Sequence, residues 1–142
     1  MKLDKADICA LLPHAGSMCL IDEVISWDDT GILCRARLHK HPDNPLRDKQ
    51  GLAAINGVEY AAQALALQAA LAAGEAQTAG SGYLVAIKDL SWNLRLLDEA
   101  GGALQIEATV LMRSETAMIG AFELMVSGRS LMRGRLTVMN GG

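Results

Sequence analysis

Residues 56–74, NGVEYAAQALALQAALAAG, decide how this chain folds. From Ala53 to Gly74 the only charged residue is Glu59. Most of the rest is alanine and leucine, both strong helix formers. Asn56 is of the type that caps a helix start, and Gly74 is of the type that stops one. The spacing predicts a helix from Asn56 to Ala73 that carries a single carboxylate. Two readings fit that carboxylate. Burial would raise its pKa and suit it to proton transfer near neutral pH. Alternatively, Glu59 lies in the first turn, facing solvent and favoured by the helix dipole. The stretch is long enough to suggest a membrane span, but it uses Ala and Gln rather than Leu, Ile and Val. Asn56, Gln63 and Gln68 interrupt it as well, so a buried core helix is expected.

Around this helix the chain reads as one domain over residues 1–142. It is 51% hydrophobic and 20% charged, which suits a compact fold and argues against disorder. A net charge of −3 makes the whole molecule a poor match for nucleic acid. The opening MKLDKADICALLPH has early acidic residues and no sustained apolar core, so no signal peptide is expected. Cys9, Cys19 and Cys34 are odd in number and form no C-x-x-C pair, a pattern of free thiols in a reducing cytoplasm. His39 and His41 would point to one face of an extended strand, but no second close ligand pair accompanies them. No metal site is expected.

Asp7 to Leu12 has the length of a helical turn, closed by Pro13. Met18 to Trp27 is strand-like, and Asp28-Asp29-Thr30-Gly31 is a turn signal. Alternation of Ile32, Cys34, Ala36 and Leu38 with Leu33, Arg35, Arg37 and His39 then gives a second strand and a hairpin. Residues 41–51, HPDNPLRDKQG, hold two prolines and no period, which marks a loop. Beyond the helix, 74–82 is a connector. Alternating apolar runs follow: Leu84 to Leu96, Leu104 to Met112, Met118 to Val126 and Met132 to Val138, with Ser127 to Ser130 as a turn. The order is hairpin, helix, antiparallel meander. An apolar sheet face must be covered, and the helix is the apolar element that can cover it. The expected class is α+β, an antiparallel sheet wrapped round one long central helix.

That order is similar to the hot-dog fold. Leu11-Leu12-Pro13-His14 followed by Leu20-Ile21-Asp22-Glu23-Val24 resembles the opening of the 3-hydroxyacyl-ACP dehydratases of fatty-acid synthesis. Gly57-Val58-Glu59-Tyr60-Ala61-Ala62-Gln63 resembles that family's helix start, where a catalytic Glu precedes a Gln by one turn. A closer likeness is to the divergent hot-dog dehydratases of aryl-polyene-type clusters. The fatty-acid enzymes also carry G-H-F-P ahead of the helix. Counting back from Glu59 by their spacing of about fourteen residues lands near Asn44-Pro45, and the nearest histidine is His41.

The resemblance implies dehydration of a 3-hydroxyacyl thioester, carried on acyl carrier protein or coenzyme A, without metal or redox cofactor. Glu59 would protonate the departing hydroxyl and His41 would take the α-proton, or Asn44 would hold that place as a hydrogen-bonding group. Gly57 and Val58, at the helix N-terminus, would meet the thioester, with a backbone N–H near Gly57 polarising its carbonyl. Gln63 would orient Glu59 or serve as a plain interface amide, and His14 would be structural. Arg129, Arg133 and Arg135 share one strand parity. Such a row is usually a solvated face, but it would also dock an acidic carrier protein. A homodimer or higher oligomer, or a heterodimer with a related hot-dog subunit, is implied, in the cytoplasm and away from membranes. Two alternatives stand beside it: a thioesterase using one carboxylate, as in some hot-dog enzymes, and an inactive partner subunit or acyl-binding module, suggested by the missing G-H-F-P.

Overall fold

In the computed structural model the described residues are 3–12, 19–74 and 82–140. A short helix α1 (Lys5–Leu11) leads to strands β1 (Glu23–Asp28) and β2 (Gly31–Ala36). The long helix α2 (Gly57–Ala73) follows, then β3 (Gly82–Trp92), β4 (Leu104–Arg113), β5 (Ala117–Val126) and β6 (Arg129–Asn140). Short 3₁₀ turns lie at Leu38–Lys40, Ala54–Asn56 and Leu97–Ala100. The six strands form one sheet in the order β1-β2-β4-β5-β6-β3, antiparallel at every pairing. The helix packs on the inner faces of β2, β4 and β5. This is the hot-dog fold.

Local chemistry explains most boundaries. Asp4 caps α1 by accepting from the Asp7 amide at 3.0 Å. Asp28 Oδ1 accepts from the amides of Thr30 and Gly31 at 2.8 and 2.9 Å and so closes the β1–β2 turn. Ser127 and Gly128 both have positive φ, 51° and 79°, as a tight turn between β5 and β6 requires. The helix lies close to the sheet because small residues line the contact. At Gly120 an added Cβ would come within 2.5 Å of Leu65 Cδ2. Ala61, Ala64 and Leu65 are fully buried there. No helix among the described residues is long and apolar enough to cross a membrane.

Several expectations need correction. Asn56 does not cap α2 with its side chain. It ends the 3₁₀ turn Ala54–Asn56, whose carbonyls take up the first amides: Asn56 N–H donates to Ala53 O and Gly57 N–H to Ala54 O. Among the described residues the first strand begins at Glu23, and Met18 lies outside them; Asp22 N–H still donates to Arg35 O at 2.9 Å, and polar ties hold residues 19–22 to neighbouring elements. Lys5 Nζ donates to Cys19 O at 2.6 Å and lies 3.3 Å from Asp22, and the Leu20 amide donates to Gln63.

The final strands are not a simple meander. β4, β5 and β6 are, but β3 sits at the far edge beside β6, away from the strands that α2 mainly covers. Leu84 and Trp92, expected on an inner face, are therefore 40% and 50% exposed. Met112 lies outside as well, past an irregularity between Val110 and Met112. Cysteine pairing also differs: Cys9 is bonded to Cys19, with Cα atoms 5.9 Å apart, and Cys34 is the free thiol. The bridge depends on α1 returning beside the segment that enters β1, which spacing along the chain does not show. The reducing-cytoplasm argument rested on three free thiols and loses that support.

Candidate functional site

α2 carries its carboxylate in its first turn, where the helix dipole favours negative charge. Glu59 is half-buried, between the buried side chains of Val58 and Tyr60. Among the described residues its carboxylate makes no hydrogen bond or ion pair. Of the two readings of Glu59, the structure supports part of each. The residue is in the first turn, and it is neither sealed in the core nor fully in water.

Gly57 is buried for a packing reason: an added Cβ would stand 2.6 Å from Leu124 Cδ1 and 3.0 Å from Met132 Sδ. Its amide is engaged by the preceding turn, so we assign it no part in polarising a carbonyl. Gln63 does not serve Glu59 through any bond seen here. Its Oε1 accepts from the Leu20 amide at 2.9 Å and ties the strand entrance to the helix. Gln68, one turn and a half further, donates to Asp28 O at 2.8 Å and accepts from Arg113. The two amides that interrupt the apolar helix are thus buried links to neighbouring elements, as buried polar groups must be.

The loop ahead of α2 brings Asn44 to the helix. Asn44 is buried; its Nδ2 donates to Tyr60 Oη at 2.9 Å and its Oδ1 accepts from the Leu46 amide at 2.9 Å. Tyr60 is fully buried, and desolvation pushes its phenol up to about 12, against the lowering effect of the Asn44 bond. Sequence reading did not single out Tyr60. The signal was present, since a buried tyrosine in an aliphatic helix must find a partner for its hydroxyl.

His39 and His41 do not share a face. The 3₁₀ turn Leu38–Lys40 sends them apart, with His39 buried and the His41 side chain half in solvent. His41 Nδ1 accepts from the Asp43 amide at 3.1 Å and lies 3.8 Å from the Asp43 carboxylate. His14 falls outside the described residues. Arg129, Arg133 and Arg135 do lie on the exposed side of β6, but each has a local partner. Arg129 donates to Ala100 O at 3.4 Å, Arg133 stands 3.8 Å from Glu123, and Arg135 pairs with Asp89. An open groove on that outer face is lined by Asp89, Glu107, Glu123, Arg133 and Arg135, and not by Glu59 or residues 39–47.

His39 is the buried ionisable group that sequence reading left without a role. Both of its ring nitrogens lack a hydrogen-bond partner among the described residues. Desolvation lowers its pKa, and Lys40 and Arg47 act the same way. The Asp98 carboxylate and the Ala36 backbone pull upward, less than desolvation and Lys40 pull down but more than Arg47 does. The consequence for stability has a definite sign. Below the ordinary value of 6.5 the unfolded chain takes the proton first. Stability should therefore fall as pH drops through 6.5 and below, by at most about 1.4 kcal/mol per pH unit from this group. Urea unfolding at a series of pH values checks this: His39→Leu should flatten the slope between neutral and mildly acid pH. An unchanged slope would show that the acid sensitivity lies elsewhere.

Comparison with known proteins agrees with this fold. A family model described as ApeP-like, ApeP dehydratase, matches residues 6–141. No curated protein sequence matches the chain. Among solved structures, it is similar to a chain of the dehydratase heterocomplex ApeI:P from Xenorhabdus doucetiae. The TM-score there is 0.83, with 23% identity over 95% of this chain and 91% of that one. A putative thioesterase from Silicibacter gives a TM-score of 0.67 at 15% identity, over 99% and 93% of the two chains. A thioesterase from Haemophilus influenzae gives 0.65 at 12% identity, over 96% and 90%. At these identities the structural likenesses speak for the fold.

Proposed function

Because this chain belongs to the ApeP-like dehydratase family, matched over residues 6–141, we propose that it removes water from a 3-hydroxyacyl thioester to leave the 2-enoyl thioester. The observation that carries this reading is Glu59, a half-buried carboxylate without a partner among the described residues, at the N-terminal turn of the central helix. Proton transfer to a departing hydroxyl asks for such a group, reachable by substrate and not neutralised by a local cation.

His41 is the proposed base. With Nδ1 accepting from the Asp43 amide, the neutral ring carries its proton on Nε2. Taking the α-proton needs the other tautomer, with Nδ1–H turned to the Asp43 carboxylate and Nε2 free. Val58, beside Glu59, and Asn44, on the facing loop, are proposed to line the acyl thioester; the space at Gly57 is taken by Leu124 and Met132, so it is assigned no such part. Gln63 supports the turn through Leu20.

A second hot-dog subunit is the proposed partner. The edge strand β3 exposes Leu84, Val85, Ile87 and Trp92, and an uncovered apolar edge invites pairing. A copy of this chain and a related chain both fit, and the likeness to a chain of a dehydratase heterocomplex from Xenorhabdus favours the latter. Acyl carrier protein is the proposed donor, docking on Arg129, Arg133 and Arg135. An acidic partner would compete there with Glu123 and Asp89, and exposed pairs of that kind are weak enough to exchange.

A single-carboxylate thioesterase is the second reading and an inactive partner subunit the third, since no histidine stands at Asn44-Pro45, near which the fatty-acid enzymes' spacing would put one. Mass spectrometry of a 3-hydroxyacyl carrier-protein thioester after incubation separates the cases. Loss of water supports dehydration, loss of the acyl group supports the thioesterase, and an unchanged substrate supports an inactive partner subunit.

A further inference from the structure

We propose that Arg47 is the positioning residue of this site: held by Asp98, its guanidinium fixes the loop bearing His41 and Asn44 against the first turn of α2. The inference rests on the dehydratase reading above and adds a residue to it. Residues 41–50 form neither helix nor sheet ladder, and most of their side chains are exposed. Polar ties must therefore set the loop's path. Arg47 supplies three of them. Nη2 donates to His39 O at 2.9 Å, Nε donates to His41 O at 3.2 Å, and Nη1 stands 2.7 Å from Asp98 Oδ2.

The anchor is itself anchored. Asp98 Oδ1 accepts from the Leu52 amide at 2.8 Å, five residues before Gly57 begins the helix. Desolvation pushes the Asp98 carboxyl up, but the Leu52 amide and Arg47 together hold it below its ordinary value. One carboxylate thus grips both the loop and the chain entering α2. Within the loop the Asn44 amide donates to His41 O at 3.0 Å and the Arg47 amide to Asn44 O at 3.1 Å. Asn44 then reaches Tyr60, next to Glu59. The side chains of Arg47 and Asp98 are 17% and 31% exposed, so water screens this pair less than a surface pair. A lysine offers a point charge in place of the planar fork and cannot make all three contacts at once.

The test is a double-mutant cycle between Arg47 and His41, using the mass-spectrometric assay on the protein with its partner subunit. Arg47→Ala should lower kcat by about tenfold or more with KM within about threefold. Arg47→Lys should fall between Arg47→Ala and the parent, and it stands in if Arg47→Ala fails to fold. In a His41→Ala background the Arg47 change should cost nothing further. Arg47→Ala turning over within about twofold of the parent, or losses that multiply with those of His41→Ala, would overturn the proposal.

A second readout needs no turnover. In protein labelled at histidine, the His41 ring resonance should shift or broaden in Arg47→Ala, and an unmoved signal would also overturn the proposal. If the parent protein shows no dehydration, the functional reading fails by itself, and the ring signal still decides whether Arg47 holds the loop.

Discussion

Glu59→Gln is expected to slow dehydration of a 3-hydroxyacyl thioester by about 10²–10⁴-fold, the usual contribution of a positioned general acid or base. The substitution keeps volume and hydrogen-bonding shape and removes the transferable proton. Nothing in the fold depends on that proton: among the described residues the carboxylate has no partner to lose. Stability should change little, with loss of a favourable dipole interaction worth about 0.3–1 kcal/mol as the main effect. The measurement is the rate of water loss by mass spectrometry beside urea unfolding of the same variant. Near-parental turnover would remove Glu59 from the mechanism. A variant that unfolds would point instead to a structural role.

His41→Ala carries the second large effect, a loss of similar size if the imidazole takes the α-proton. The ring is half exposed and, among the described residues, hydrogen-bonds to the Asp43 amide of its own loop, so its removal should leave the fold nearly as stable as before. Asn44→Ala should behave in the opposite way. It would leave the buried Tyr60 hydroxyl and the Leu46 amide without their partner, at a cost of about 1–3 kcal/mol. Its turnover should fall through loss of loop position. Kinetics and unfolding on the two variants distinguish a chemical group from a scaffold group. A His41→Ala protein that still removes water at a near-parental rate would take His41 out of the mechanism and leave Glu59 as the one assigned acid–base group.

The central helix was legible because it is a one-dimensional signal. Alanine and leucine propensity, a single carboxylate and Gly74 at the end mark 57–73 whatever surrounds it. Strands β2 and β5 were legible for the same reason, as both have one face on the core and alternate strictly in burial. β3 alternates in sequence too, but alternation does not say where in a sheet a strand lies. Only the pairing with β6 placed it on the edge, where Leu84 and Trp92 meet solvent.

The site divided along the same line. Glu59 stood out by itself as a charge in an apolar run, and its family resemblance depends on local spacing. The contacts that give the site its shape join residues far apart in sequence: Gln63 with Leu20, Arg47 with Asp98, Cys9 with Cys19. A hydrogen bond or disulfide forms between groups that the fold brings within a few ångströms. Sequence by itself therefore determined the helix, its carboxylate and the hairpin ahead of it. The tertiary structure decided that His39 is buried, that Asn44 holds Tyr60 and that Arg47 grips the loop, because those outcomes depend on distances across the fold.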